Sequence, residues 1–142
     1  MKKFYILIFF SIFFFSHPLQ LNALIGDKII LKVNNKIVTS FEVKNKIVGT
    51  LILSNKIINQ KNIDEIKSQT LESLIQLKLK QIALEKYDYK VDYKQIEDYL
   101  NSISGNNIDG LKSSFENNNA DFEMFIDNIK TEFKWQRFIV SK

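Results

Sequence analysis

The chain has 142 residues, 20 of them basic and 16 acidic, with a formal charge of +4, no cysteine, one histidine and one proline. The absence of cysteine excludes a disulfide framework and a Cys/His zinc site, and because His17 and Pro18 both sit in an N-terminal export-type segment, the rest lacks His-based acid–base chemistry and Ser-His or Cys-His nucleophile pairs. The lysines alternate with acids along the whole chain and Arg137 is its single arginine, so the excess charge does not make the one-faced basic patch that nucleic-acid binding requires.

The first element is a secretory signal over Met1 to Ala23. Lys2 and Lys3 precede an apolar run from Phe4 to Phe15, broken by Ser11, and a more polar stretch ends at the small residue Ala23. The run is shorter than the ~18–20 residues that span a bilayer, so no stable membrane insertion is expected after cleavage. Cutting after Ala23 leaves 24–142, the size of one domain, and removes Lys2 and Lys3, which lowers the charge from +4 to +2.

Next comes a hairpin. Ile29, Ile30, Leu31 and Val33 form one β-prone run and Ile37 and Val38 another. Asn34-Asn35 between them suits a two-residue turn, since asparagine tolerates positive φ. Such a hairpin is marginal alone and must lie on the helical remainder. Thr39 with Glu42 fits a capping box, which opens a first helix to about Ile58 on Val43, Ile47, Val48, Leu51 and Ile52, with Gly49 packed closely against a neighbour.

A second helix is predicted from about Ile63 to Tyr87. Its half "LIQLKLKQIAL" is apolar around most of its circumference and should be covered on more than one side. Asp92 with Gln95 fits another capping box, opening a helix over Tyr93 to Ile103 that ends at Gly105. A short helix covers about Ile108 to Glu116, and a last one covers about Asp121 to Ile139, with Asp92 and Asp121 as N-caps. The fold class is therefore mainly α: a bundle of about five helices with an N-terminal β-hairpin and no internal repeat.

Chemistry-bearing patterns are sparse. The four glycines are scattered, so there is no phosphate loop. Glu97-Asp98 and Asp121/Glu123 read as a solvated face and a helix start rather than as acid–base or metal pairs. Neither a cofactor nor a metal is expected. The aromatics are more telling. Phe122, Phe125 and Phe133 read first as a core stripe, whereas Trp135 and Phe138 beside them suit a groove for apolar segments, with Phe122, Phe125 and Phe133 contributing to it. With Ile29, Leu31 and Val33 of the hairpin they make the candidate binding surface. Tyr87, Tyr89, Tyr93 and Tyr99 fit either role.

The order of these motifs resembles a known family. "VNNKIVTSFEV" matches the opening hairpin and helix start of the N-terminal domain of SurA-type periplasmic chaperones, "LIQLKLKQIALEKYDYKVD" matches its central helix and turn, and "DFEMFIDNIKTEFKWQR" matches its closing helix with the Gln136-Arg137 pair. The likeness covers essentially all of 24–142. It implies a periplasmic, ATP-independent holdase whose partners are unfolded outer-membrane proteins. Such proteins usually continue into parvulin-type prolyl isomerase domains and a C-terminal segment that packs back on the N-terminal domain. Those parts have no counterpart in these residues, so no enzymatic activity is expected of them. The surface that the segment would cover should then be free for clients, for a second copy or for a separately encoded partner. The competing reading is a non-catalytic module docking on an envelope partner or a separate isomerase subunit.

Overall fold

Residues 27–142 are described by the computed structural model, and the export-type segment lies outside them. The two β-prone runs form the expected hairpin. Strand β1 (Ile29–Val33) pairs antiparallel with β2 (Lys36–Thr39), and Val33 stands opposite Lys36 across a turn in which Asn34 takes the left-handed conformation, φ 53°. Leu31 opposite Val38 marks the face turned to the helices, where Val38 is fully buried. Ile37 opposite Lys32 lies on the other face and is exposed.

The hairpin runs into helix α1 (Ser40–Leu53) without a linker because the junction satisfies its own polar groups. Thr39 Oγ1 accepts from the Glu42 N–H at 3.2 Å, and Glu42 Oε2 accepts from the Thr39 N–H at 3.0 Å. The second Glu42 oxygen holds Lys78 of the next helix at 2.5 Å, so one carboxylate ties cap and core together. Asp27 closes the clasp from the strand side, accepting from the Ser40 hydroxyl and the Phe41 N–H, both at 2.8 Å. Thr39→Ala is expected to cost about 1 kcal/mol, seen as a lower urea midpoint at unchanged slope. An unmoved midpoint would mean that the Glu42–Lys78 pair and the Asp27 clasp hold the junction without the Thr39 hydroxyl.

Helix α1 stops at Leu53, short of the expected Ile58. Asn55 takes a left-handed φ of 51°, and the Lys56 N–H turns back to the Leu51 carbonyl at 2.9 Å, the kind of ending that glycine more often supplies. Helix α2 (Gln60–Leu84) accordingly starts early, capped by the Asn59 side chain. Helices α3 (Tyr93–Ser104), α4 (Ile108–Asn117) and α5 (Phe122–Val140) are capped by Asp92, Asn107 and Asp121, and Gly105, at φ 64°, ends α3. The second capping box is incomplete. Gln95 does not reach back to the cap; its side-chain oxygen faces the Arg137 guanidinium of α5 at 3.5 Å.

The core has two parts that share α1. Val43, Ile47 and Leu51 pack with Val38 of β2 and with Leu74 and Leu77 of α2. Val48 packs with Ile96, Leu100, Leu111, Phe115, Phe122 and Ile129 of α3, α4 and α5. Thus α1 is the dividing helix. Helix α2 is covered on two sides, by α1 with the hairpin and by α5, but Leu79 on its remaining face is 46% exposed. Gly49 is the close-packing site expected of it: a Cβ there would lie 3.0 Å from the Phe115 ring.

Candidate binding groove

Helix α5 carries Phe125, Asn128, Glu132, Phe133 and Gln136 at a spacing that sets them along one face. That face looks into an open groove of about 340 Å³. Lys46 and Leu53 of α1, Ser73 and Leu77 of α2 and Tyr99 of α3 form the other walls. Its apolar part is an aromatic rim. Phe125 and Phe133 are half-buried, and Tyr99 meets Phe133 edge to face at 5.8 Å. Phe115 lies beneath, in contact with Phe125 at 5.0 Å and with Phe122 at 5.4 Å between ring centres. The rim is therefore backed by a rigid aromatic stack, not by a void.

The polar part is a short charge relay. Glu132 is held by Lys80 of α2 at 2.5 Å. Lys46 stands nearby, and burial holds its ammonium below the usual lysine range, an effect that Glu132 opposes and Lys80 reinforces. Among the described residues Lys46 has no salt-bridge partner.

The residues expected to bind are split among three places. Phe125 and Phe133 line the groove. Phe122 does not: it is 6% exposed and belongs to the core, because the first turn of α5 is packed against α4 and its side chain faces Phe115. Trp135 and Phe138 lie off the groove. They stack at 5.1 Å, and Phe138 meets Tyr87 at 5.1 Å and Tyr89 at 6.3 Å. Lys142 sits over the Tyr87 and Phe138 rings, the Tyr89 hydroxyl pairs with Ser141 at 2.7 Å, and Arg137 donates to the Lys90 carbonyl. This second aromatic group fastens the segment after α2 to the end of α5.

The hairpin residues are divided by a register shift between Ile29 and Leu31, which breaks the strand's alternation. Leu31 and Val33 are half-buried on the helix side, whereas Ile29 is 64% exposed. Ile30 and Ile37 are exposed as well, so the hairpin's outer face carries three exposed isoleucines beside Lys32. Its main neighbours are α1 and α2, not α5, so this face and the groove are separate surfaces.

Sequence reasoning did not place Lys46, Glu132 or Gln136 in the binding surface, although Gln136 was noted as part of the Gln136-Arg137 pair. The signal for the α5 pair was present, since both share the spacing of Phe125 and Phe133, but Lys46 falls among the apolar residues of α1 and looks like any solvated lysine. Among the described residues no cluster of acids or histidines suited to a metal is gathered, and no helix is long and apolar enough to cross a membrane. No known family profile, curated protein or solved structure matches the chain.

Proposed function

We propose that this chain is an ATP-independent holdase domain of the cell envelope that binds unfolded outer-membrane β-barrel chains in the groove between α1, α2, α3 and α5. One observation carries the reading: Tyr99 is exposed and Phe125 and Phe133 are only half-buried around an open groove, although the last two pack against a filled core. Accessible aromatics on a rigid floor suit transient capture of apolar side chains, each gaining about 1.5–3 kcal/mol if fully buried. Barrel strands present such side chains at every second position. The export-type N-terminus and the resemblance to the N-terminal domain of SurA-type chaperones support the same reading.

The test is light scattering from a urea-unfolded outer-membrane barrel protein diluted into buffer, with and without the chain in its processed form. Suppression at near-stoichiometric ratio is expected. Phe133→Glu, which sets a second carboxylate beside Glu132, should remove most of it while the helical circular dichroism persists. Replacing both Trp135 and Phe138 by alanine should instead lower the thermal midpoint and leave suppression largely intact at low temperature. No suppression by a folded chain would reject the holdase and favour docking on one folded partner, for which the exposed outer face of the hairpin offers the surface.

A further inference from the structure

The groove contains a cation that, among the described residues, has no ion-pair partner of its own. Lys46 lies at the middle of α1 and borders three adjoining depressions where α1 meets α2 and α5. The nearest acid on α5, Glu132, is already engaged by Lys80, so the site carries two ammonium groups and one carboxylate, an excess of one positive charge. Holding an ammonium partly out of water, with the only nearby carboxylate already engaged by Lys80, is unfavourable, and an entering anion would relieve that cost.

The walls restrict what the anion can be attached to. Leu77, Phe125 and Phe133 are apolar and lie in the same groove as Lys46, so the ligand should carry an apolar group beside its charge. Ser73, Asn128 and Gln136 add hydroxyl and amide groups that can bond a peptide unit. A phosphate has no use for the aromatic wall and, among the described residues, finds no second free cation lining the groove. A fatty acid has no use for the amide-bearing wall. The last residue of a polypeptide combines all three features: a carboxylate, a peptide group and a side chain on the same carbon as the carboxylate.

We propose that the groove receives the C-terminal residue of an extended chain, with its α-carboxylate on Lys46 Nζ and its apolar side chain against Phe125 and Phe133. This rests on the chain-binding reading given above and sharpens it: one end of the client is recognised by charge, and the rest by apolar contact alone. A charge-assisted hydrogen bond of this kind supports discrimination of about tenfold or more.

Fluorescence anisotropy with a ten-residue peptide, labelled at its N-terminus and ending in phenylalanine, tests it. The peptide is prepared both as the free acid and as the C-terminal amide. The acid is expected to bind at least about tenfold tighter than the amide, and Lys46→Met should bring the two to equal affinity. Equal binding of acid and amide to the unaltered chain would overturn the proposal while leaving the holdase reading intact, because apolar capture would still be observed. Discrimination that survives Lys46→Met would also overturn it, as would displacement of the peptide by dodecanoate at equal or lower concentration. Binding of neither peptide, together with no suppression of aggregation, would remove both readings. The acid–amide comparison needs no variant, so the proposal stays decidable should Lys46→Met fold poorly.

Discussion

Phe115→Ala is expected to remove about 3–5 kcal/mol of stability, the largest effect of any single side chain here. Folded domains of this size are stable by about 5–15 kcal/mol, so the variant should be near the edge of folding at 37 °C. Phe115 is fully buried and meets three groups at once: the rings of Phe122 and Phe125, and the bare backbone at Gly49. Removing it therefore opens a cavity at the joint between α1, α4 and α5. It also takes away the floor beneath Phe125, so binding in the groove should weaken even where the fold survives. The pairing with Gly49 supplies a sharper check than the loss itself. Gly49→Val alone should cost about 1–3 kcal/mol, because its side chain would be forced into the Phe115 ring. In the Phe115→Ala background the same substitution should be close to neutral or stabilising, since the space is free and a helix glycine is replaced. Urea unfolding of the four proteins measures the coupling. Costs that simply add would show that the ring and the glycine do not share one space.

How much of this was legible in the sequence follows from how far apart the interacting residues are. The Asn34 turn, the Thr39–Glu42 box, the caps at Asp92 and Asp121 and the left-handed Gly105 each involve neighbours within about four residues, where side-chain type and spacing decide the outcome. The end of α1 was also written locally, at Asn55, but asparagine is a weaker stop than glycine, and Ile57 and Ile58 continue the apolar pattern past it. What stayed hidden depended on partners far along the chain. Gln95 has the type and position of a capping-box residue, yet Arg137 draws it to α5. Trp135 and Phe138 have the composition of a recognition surface, yet Tyr87 and Tyr89, from the segment after α2, engage Phe138, on which Trp135 stacks. Phe125 and Phe133 share a stripe with Phe122, and no periodicity tells which member faces the core and which faces the groove. The difference arises because α4 covers the first turn of α5 and leaves later turns open toward α3.

The division between the two aromatic groups bears on function. A chain-binding groove works only if its walls hold their spacing while its occupant comes and goes. The Tyr87–Tyr89–Phe138–Trp135 group and the Arg137 bond to Lys90 anchor the far end of α5, and the Lys80–Glu132 pair anchors its middle to α2. The exposed part of the Lys80–Glu132 pair is screened by salt, so it contributes position more than energy. Near the start of α5 the anchor is different in kind, and it is the second place where one substitution should have a large effect.

Asn45 is 3% exposed on the face of α1 opposite the hairpin side of the core. Its side-chain amide donates to the Asp121 carbonyl at 2.9 Å, and its carbonyl oxygen accepts from the Asp121 N–H at 2.5 Å. Asp121 in turn caps α5 by accepting from the Met124 N–H at 3.0 Å. One buried amide thus fixes the residue that starts the groove's main wall. Asn45→Leu keeps the number of side-chain heavy atoms but leaves a donor and an acceptor of the Asp121 backbone without partners, at a cost of about 2–4 kcal/mol. Asn45→Asp is more diagnostic. The carboxylate can still accept from the Asp121 N–H, but it is repelled by the Asp121 carbonyl, whereas the protonated acid can donate to that carbonyl as the amide does. Burial and repulsion both favour the protonated form, so the folded-state pKa of the introduced group lies above its unfolded value of about 3.9. Stability relative to the unaltered chain is then highest below about pH 4 and falls as pH rises through the unfolded pKa toward the folded one. Paired urea titrations at several pH values measure that difference. A penalty that does not change with pH would mean that Asn45 acts by shape alone, and that the amide pair with Asp121 does not hold α5 in place.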